Sequence, residues 1–213
     1  MRAVVVIALV ACTSSAAPAK TTYEGRTIAD TMSYVAAAWL DRADRDALQQ
    51  PERVLDALKL APEMTVADVG AGTGYFTLRI AKRVAHVIAT DVQPQMLDIL
   101  RSRLGSLTNV QLVAAGDHDA ALLPACCDVV LMVDVYHELA DPPAVMAGVR
   151  AALKPNGRLV LVEYRAEDPN VQIKPEHKMT LAQVKLELAK LQFRFVDSNE
   201  MLSQQRIVTF VRD

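Results

Sequence analysis

The central part of the chain repeats one pattern, in which a short apolar run is followed by a stretch whose apolar residues have helical spacing. The runs are rich in β-branched residues, which predicts strands at 65–70, 86–91, 109–115, 128–135 and 157–164. Helices are predicted at 74–84, 94–104 and 142–153. Apolar strands separated by helices are typical of a parallel sheet that is covered on both faces, which is an α/β fold.

The pattern changes on both sides of this region. Residues 27–50 are rich in helix formers and Pro51 opens a further helix, which predicts an N-terminal helical cap. Towards the C-terminus, a helical pattern at 180–191 is followed by strand patterns at 193–198 and 206–213. The link between these two strands is too short for a parallel crossover, so we expect them to pair antiparallel.

Residues 1–22 are interpreted as a signal peptide and tether. Arg2 precedes an apolar run that is shorter than the roughly 20 residues of a membrane-spanning helix. The run ends at Cys12 in "LVAC", which resembles a bacterial lipobox, so we expect a periplasmic protein that lipidated Cys12 attaches to a membrane. Two alternatives stay open. They are ordinary cleavage after "APA" at 17–19, and an uncleaved or misassigned N-terminus, which would leave the protein in the cytoplasm.

Composition sets further limits. The chain has 213 residues, 52% of them hydrophobic, which is enough for one domain, predicted at 23–213. A formal net charge of -2 and 5% aromatic residues provide neither a basic field nor a stacking surface, which argues against nucleic-acid binding. Cys126 and Cys127 are adjacent, so we expect two small buried residues and no disulfide. No CxxC or HExxH motif occurs and no metal site is predicted, while the oligomeric state stays open.

The loop after the first predicted strand, in "VADVGAGTGYFT", has glycine at three alternate positions, Gly70, Gly72 and Gly74. Without Cβ atoms the backbone can bend sharply and touch a ligand, and the start of the next helix exposes free N–H groups. Asp91 ends the second strand, where a carboxylate can accept hydrogen bonds from both hydroxyls of a ribose. The glycine spacing differs from the GxGxxG motif of dinucleotide-binding proteins. We therefore predict a ligand that contains a nucleoside.

These motifs resemble those of the class I S-adenosylmethionine-dependent methyltransferases. "VADVGAGTGYFT" is similar to the D-x-G-x-G-x-G loop of that family, and "IATDVQPQML" is similar to its second acidic motif. The resemblance continues through "DVVLMVDVYHEL" and "LKPNGRLVLVEYR" and spans about residues 54–165. It implies a Rossmann-like, doubly wound sheet of order 3-2-1-4-5-7-6 with strand 7 antiparallel. It also implies S-adenosylmethionine as the cofactor.

The resemblance further implies a set of cofactor-binding residues, which are Asp68, Gly70, Ala71, Gly72, Gly74, Asp91, Val92, Asp117, His118 and Asp134. Asp91 would hold the ribose, Asp117 the adenine amino group and Asp134 the methionine amine. Val92 would pack on the adenine, and His118 would add a backbone contact. Considered without the resemblance, the glycines also fit a structural turn, Asp117 an ordinary turn and Asp134 a helix cap.

Methyl transfer mainly requires alignment of the acceptor with the methyl group, and an oxygen or nitrogen acceptor also needs a base. His137 follows strand four, and its placement is similar to that of the catalytic histidine in the "HDW" segment of small-molecule O-methyltransferases, although Glu138 follows here. This implies that His137 is a general base. Tyr136, Arg165 and His177 are the predicted acceptor-binding residues, the last two on a loop over the site. A histidine that only bridges loop groups and a solvated loop are the alternatives.

The predicted function is methyl transfer from S-adenosylmethionine to a small-molecule acceptor. A noncatalytic S-adenosylmethionine-binding or sensing protein and a nicotinamide-dependent oxidoreductase are the competing classes, and the glycine spacing disfavours the second of these. The predicted export conflicts with the cytoplasmic origin of S-adenosylmethionine. Either the export interpretation is wrong, or the cofactor reaches an unusual compartment, or the protein is not an enzyme.

Overall fold

A mixed sheet lies at the centre of the structure, a computed structural model that describes residues 21–213. Its long strands are β1 (Thr65–Val69), β2 (His86–Asp91), β3 (Val110–Ala114), β4 (Cys127–Val133), β5 (Leu153–Arg165), β6 (Phe193–Asn199) and β7 (Gln205–Arg212). They are ordered 3-2-1-4-5-7-6, with β1 to β5 parallel and β7 antiparallel to its two neighbours. The predicted α/β fold and strand order are confirmed.

Helices cover both faces of this sheet. They are α1 (Arg45–Gln49), α2 (Pro51–Ala57), α3 (Thr77–Ile80), α4 (Pro94–Arg103), α5 (Pro142–Ala152) and α6 (Leu181–Lys190). Successive strand residues point to opposite faces, so the buried Val66 packs with residues of α2 and α3 while its neighbour Ala67 packs with residues of α5 and α6. Two hydrophobic cores result, one on each side of the sheet.

Two predicted helical segments are shorter than expected. Residues 27–50 contain a 3-10 helix at Tyr34–Asp41 and the five-residue α1. Helix α1 ends at Gln49 because Gln50 precedes Pro51 and adopts a left-handed φ of +46°. The helix expected at 74–84 is reduced to α3. Gly74 has a φ of +89°, which a right-handed helix cannot include.

The described part of the chain begins with a small hairpin of Thr22–Tyr23 and Arg26–Thr27. Thr22 is thus paired with Thr27, although the sequence analysis placed it in the tether. The predicted signal peptide and Cys12 lie outside the described residues, apart from the last two positions of the tether. Within residues 21–213, no helix combines the length and the apolar character needed to cross a membrane.

Gly74 and Gly105 offer a matched test of the packing around the glycine loop. Both have positive φ, but a Cβ at Gly74 would overlap the Leu100 side chain, whereas a Cβ at Gly105 would meet nothing. We expect Gly74→Ala to lower the free energy of unfolding by about 2 kcal/mol, and Gly105→Ala by about 1 kcal/mol, which is the backbone cost alone. Urea denaturation of both variants measures this difference. Equal losses would contradict the contact with Leu100.

Candidate cofactor-binding and active site

A cavity of about 710 Å³ opens at the carboxyl ends of β1, β2 and β4. Ligands bind at this edge of open α/β sheets, and the volume is in the range of small-molecule sites. Ten of the fourteen residues predicted for the site line the cavity, and these are Asp68, Gly70, Ala71, Gly72, Asp91, Val92, Asp117, Asp134, His137 and His177. The fold therefore brings together residues that are up to about a hundred positions apart in sequence.

The glycine loop after β1 is fastened to the end of β2. The N–H groups of Gly70 and Ala71 donate to the Thr90 carbonyl at 2.8 and 2.9 Å, and the Gly72 N–H donates to Asp91 Oδ2 at 2.9 Å. Gly72 has a φ of +54°, and a Cβ at this position would lie 2.9 Å from Leu40. The loop therefore needs glycine both for its bend and for its contact with the N-terminal cap.

Asp91 holds its carboxylate in place through two backbone contacts. Besides the bond from Gly72, Oδ1 accepts a hydrogen bond from the Gln93 N–H at 2.8 Å, and the residue is only 7% exposed. Burial raises the pKa of the Asp91 carboxyl, and the two backbone N–H groups oppose this change because they stabilise the charged form. The carboxylate is thus fixed at the cavity wall, and its two oxygens have further lone pairs that can accept hydrogen bonds from a ligand.

Two further carboxylates, Asp68 and Asp134, line the cavity near the ends of β1 and β4. The Thr77 hydroxyl donates to Asp68 Oδ2 at 2.6 Å. Gln205 Nε2 donates to both oxygens of Asp134 at 2.8 Å, and Gln49 Nε2 donates to Oδ2 at 3.0 Å. Burial raises the pKa of both carboxyls to about 6, against the effect of these hydrogen bonds. Asp134 also has a left-handed φ of +55°, a strained conformation that is concentrated at functional sites.

The raised pKa of Asp68 predicts a pH-dependent stability. Between its ordinary pKa of 3.8 and about 6, the folded state retains a proton that the unfolded state has lost. The stabilising contribution is therefore complete below about pH 4 and is lost as the pH rises through about 6. Asp68→Asn carries no titratable group here. Its free energy of unfolding relative to the wild type should thus rise by about 2 kcal/mol between about pH 4 and 7. Urea titrations at both values test this, and a constant difference would contradict it.

His137 lies on a 3-10 turn, Tyr136–Glu138, that follows β4. Its side chain is buried, and Nδ1 lies 2.6 Å from Oε2 of Glu163, a fully buried residue of β5. Nε2 lies 3.2 Å from Nδ1 of His177. Burial opposes a charge on the imidazole, but the neighbouring carboxylates of Glu163 and Glu138 outweigh it, so the pKa of His137 is raised. The ring is thereby held by its Nδ1, while its Nε2 faces His177.

The other four predicted residues do not line the cavity. Tyr136 is fully buried and its hydroxyl donates to Glu187 at 2.9 Å, so it faces the core. Arg165 donates to the carbonyls of Glu200 and Ser203 and fixes the β6–β7 link. The exposed His118 pairs with Asp141 at 2.9 Å. Gly74 packs against Leu100. Side-chain direction and packing of this kind are set by the fold and not by neighbours in sequence.

Sequence reasoning gave no role to the residues that hold the site together. Gln49, Gln205 and Glu163 come from α1, β7 and β5, and each contacts a predicted site residue. One available signal was a buried carboxylate in an apolar strand, since Glu163 interrupts "LVLVEY" and a fully buried Glu is almost always paired. The two glutamines carry no such signal.

Comparisons with known proteins agree with this geometry. Residues 67–161 match the family described as a methyltransferase domain. An uncharacterised methyltransferase of Mycobacterium tuberculosis is 37% identical over 112 residues, covering 53% of this chain and 44% of the relative. A demethylmenaquinone methyltransferase of Tropheryma whipplei is 32% identical over 126 residues, covering 59% of this chain and 52% of the relative. The chain thus spans about half the length of these curated relatives.

The crystal structure of a SAM-dependent methyltransferase from Aquifex aeolicus, where SAM is S-adenosylmethionine, is similar along most of its length. The TM-score is 0.78 at 25% identity, covering 84% of this chain and 98% of that chain. Residues 67–161 are therefore similar in sequence to a methyltransferase domain, and the chain has a fold like that of the S-adenosylmethionine-dependent methyltransferase from Aquifex aeolicus.

Proposed function

We propose that this protein binds S-adenosylmethionine in the cavity and transfers its methyl group to a small-molecule acceptor. The main observation behind the proposal is the hydrogen bond from the Gly72 N–H to Asp91. It places the backbone of the glycine loop next to a carboxylate of fixed position, and both line the cavity. The match of residues 67–161 to a methyltransferase domain supports it.

The residues present fit this cofactor. The Asp91 carboxylate can accept hydrogen bonds from the two ribose hydroxyls, because its backbone contacts leave lone pairs available. Val92 and Met96 supply apolar surface for the adenine, and Asp117 also lines the cavity. Asp68 and Asp134 provide negative charge for the methionine amine. When bound, S-adenosylmethionine supplies an electrophilic methyl group on a sulfonium.

The acceptor end of the cavity is proposed to lie at His137. Glu163 binds Nδ1 and fixes the orientation of the ring, so Nε2, which lies 3.2 Å from His177 Nδ1, is the nitrogen that can act as a base. An acceptor hydroxyl or amine placed there can pass its proton to Nε2 as it is methylated. Met32, Trp39 and Leu139 also line the cavity and would suit an acceptor with an apolar body. The demethylmenaquinone methyltransferase among the relatives is in keeping with a small-molecule acceptor.

Two measurements on the purified protein test the proposal. Isothermal titration with S-adenosylmethionine should show saturable binding, while NADH should show none. A screen of metabolite acceptors, quinones included, should then release S-adenosylhomocysteine with at least one of them. Binding without turnover on any acceptor would support the noncatalytic, sensing alternative. Binding of NADH alone would favour an oxidoreductase and would overturn the proposal.

We propose, separately, that residues 1–22 direct export and that Cys12 carries a lipid, on the basis of the sequence pattern alone. Cell fractionation with mass spectrometry of the mature N-terminus tests this. A mature chain that begins at Cys12 with a lipid adduct is the expected result. An intact Met1 in the cytoplasmic fraction would contradict it and would remove the conflict with the source of the cofactor.

A further inference from the structure

Three potential metal ligands from different parts of the chain meet at the wall of the cavity. We call them the His–Glu–His cluster, which consists of His137, Glu138 and His177. His137 Nε2 lies 3.2 Å from His177 Nδ1, and Glu138 Oε1 lies 3.4 Å from His177 Nδ1 and 3.9 Å from His137 Nε2. One ligand atom from each residue therefore lies within 3.9 Å of the other two.

These separations are close to those within a metal site. Two ligands bound at about 2.0–2.1 Å in a tetrahedral arrangement lie about 3.4 Å from each other. The distances from His177 to both partners agree with this value, and the third distance exceeds it by about half an ångström. Small rotations of the Glu138 side chain would be sufficient to shorten the distance from its Oε1 to His137 Nε2 to this value, because a carboxylate at the end of two methylene groups has rotamer freedom.

The surroundings of His137 match those of a metal-bound histidine. Such a ligand nearly always donates its other ring N–H to a carboxylate, which fixes the tautomer and makes the free nitrogen a better ligand. Glu163 occupies this place at 2.6 Å from Nδ1, and it is itself held by the Tyr136 N–H, which donates to Oε1 at 3.1 Å. With Nδ1 donating to Glu163, Nε2 carries the lone pair and is the nitrogen that lies 3.2 Å from His177.

The charges at the cluster favour a cation. The carboxylates of Glu138, Glu163 and Asp134 all act on His137, and two of these three residues line the cavity. Glu138 Oε1 lies 3.4 Å from His177 and 3.9 Å from His137, so a dication bound between the two rings would lie beside a carboxylate.

The backbone holds the cluster from two sides. His137 and Glu138 lie on the turn that ends β4, and Lys178–Met179, directly after His177, pairs in parallel with Tyr164–Arg165 at the end of β5. This short strand continues the edge of β5 beyond the last pair that β4 makes with it. All three side chains border the cavity, so the remaining coordination positions would face a ligand there.

We propose that His137, Glu138 and His177 bind one divalent transition-metal ion, of which Zn²⁺ is the representative, at the acceptor end of the cavity. Two imidazoles and one carboxylate suit Zn²⁺ and its first-row neighbours, whereas Mg²⁺ prefers oxygen ligands alone. The role of the ion rests on the proposed function. It would bind an acceptor hydroxyl and lower its pKa, so that the proton is released to solvent and Nε2 is no longer needed as the base.

Sequence reasoning predicted no metal site, because it searched for ligands at short fixed spacings. His137 and His177 are 40 positions apart, and only the pairing of Lys178–Met179 with β5 brings them together.

Metal binding can be tested without any methyl acceptor. Chelator-treated, dialysed protein is titrated with Zn²⁺ by calorimetry, and bound metal is counted by mass spectrometry after gel filtration. Co²⁺ is added in parallel, because its visible absorption reports low-coordinate nitrogen and oxygen ligands. We expect one Zn²⁺ per chain and no comparable binding of Mg²⁺. His177→Ala and Glu138→Gln should each weaken Zn²⁺ binding by about 10–100-fold or more.

His86→Ala is the matched control, since His86 begins β2, at the end of the strand opposite to the cavity, and its ring contacts the Gln111 side chain. It should bind Zn²⁺ like the wild type. Circular dichroism and thermal melting establish that each variant is folded. His177 is partly exposed, so its replacement is not expected to prevent folding.

Absence of stoichiometric Zn²⁺ in the wild type, or Zn²⁺ binding that persists unchanged in both cluster variants, would overturn the metal site. Titration with S-adenosylmethionine separates this outcome from a failure of the proposed function. Cofactor binding without Zn²⁺ binding removes only the metal site. Zn²⁺ binding that depends on the cluster, in a protein that does not bind the cofactor, retains the metal site and removes its role in methyl transfer.

Discussion

His137→Asn is expected to lower kcat for methyl transfer by about 10²–10⁴-fold and to leave the affinity for S-adenosylmethionine unchanged. The asparagine amide can occupy the place of Nδ1 and donate to Glu163, so the buried carboxylate keeps its partner. What the variant loses is Nε2, the atom directed towards His177 and the cavity. The effect should therefore fall on the chemical step, whether Nε2 acts as the base or as a metal ligand.

The measurement is release of S-adenosylhomocysteine in single-turnover experiments with an acceptor found in the screen. His86→Ala serves as the control for replacement of a histidine. Calorimetry with S-adenosylmethionine on the same sample distinguishes a chemical defect from loss of the cofactor site. Turnover equal to that of the wild type would assign His137 a structural role and would move the base or metal function elsewhere.

Asp91→Ala is expected to weaken binding of S-adenosylmethionine by about 3 kcal/mol, or about 150-fold. Each hydrogen bond to a buried carboxylate contributes about 1.5–3 kcal/mol, and two ribose hydroxyls would be affected. The substitution also removes the acceptor for the Gly72 N–H, so the glycine loop loses a contact that fixes its position. Isothermal titration measures the change directly.

Two further variants make this result specific. Asp91→Asn retains one oxygen acceptor without the charge and should give a smaller loss than Asp91→Ala. Asp98→Ala removes an exposed carboxylate of α4 that pairs only with Arg101 among the contacts described, and it should bind the cofactor normally. An unchanged dissociation constant for Asp91→Ala would remove this residue from the cofactor site and would leave the proposed function without its main support.

Local sequence patterns are sufficient to predict the strands and one wall of the site, whereas the strand order was implied by the family resemblance. Strand patterns locate β1 to β7, although β5 begins at Leu153, four residues before its predicted start, and a short β6–β7 link favours antiparallel pairing. Parallel strands also place their carboxyl ends at one edge, so the glycine loop and Asp91 had to lie close together. These features depend on periodicity and on connections between neighbouring elements, which are local properties that a sequence displays directly.

The side chains that complete that wall depend on contacts between distant parts of the chain. Tyr136 and His137 are adjacent, yet the backbone of the turn directs Tyr136 into the core towards Glu187 and His137 towards Glu163 and His177. Arg165 supports the β6–β7 link instead of the cavity. The His–Glu–His cluster depends on a two-residue strand far along the chain. Side-chain direction and contacts across many residues result from the packing of the whole molecule, and no short stretch of sequence contains them.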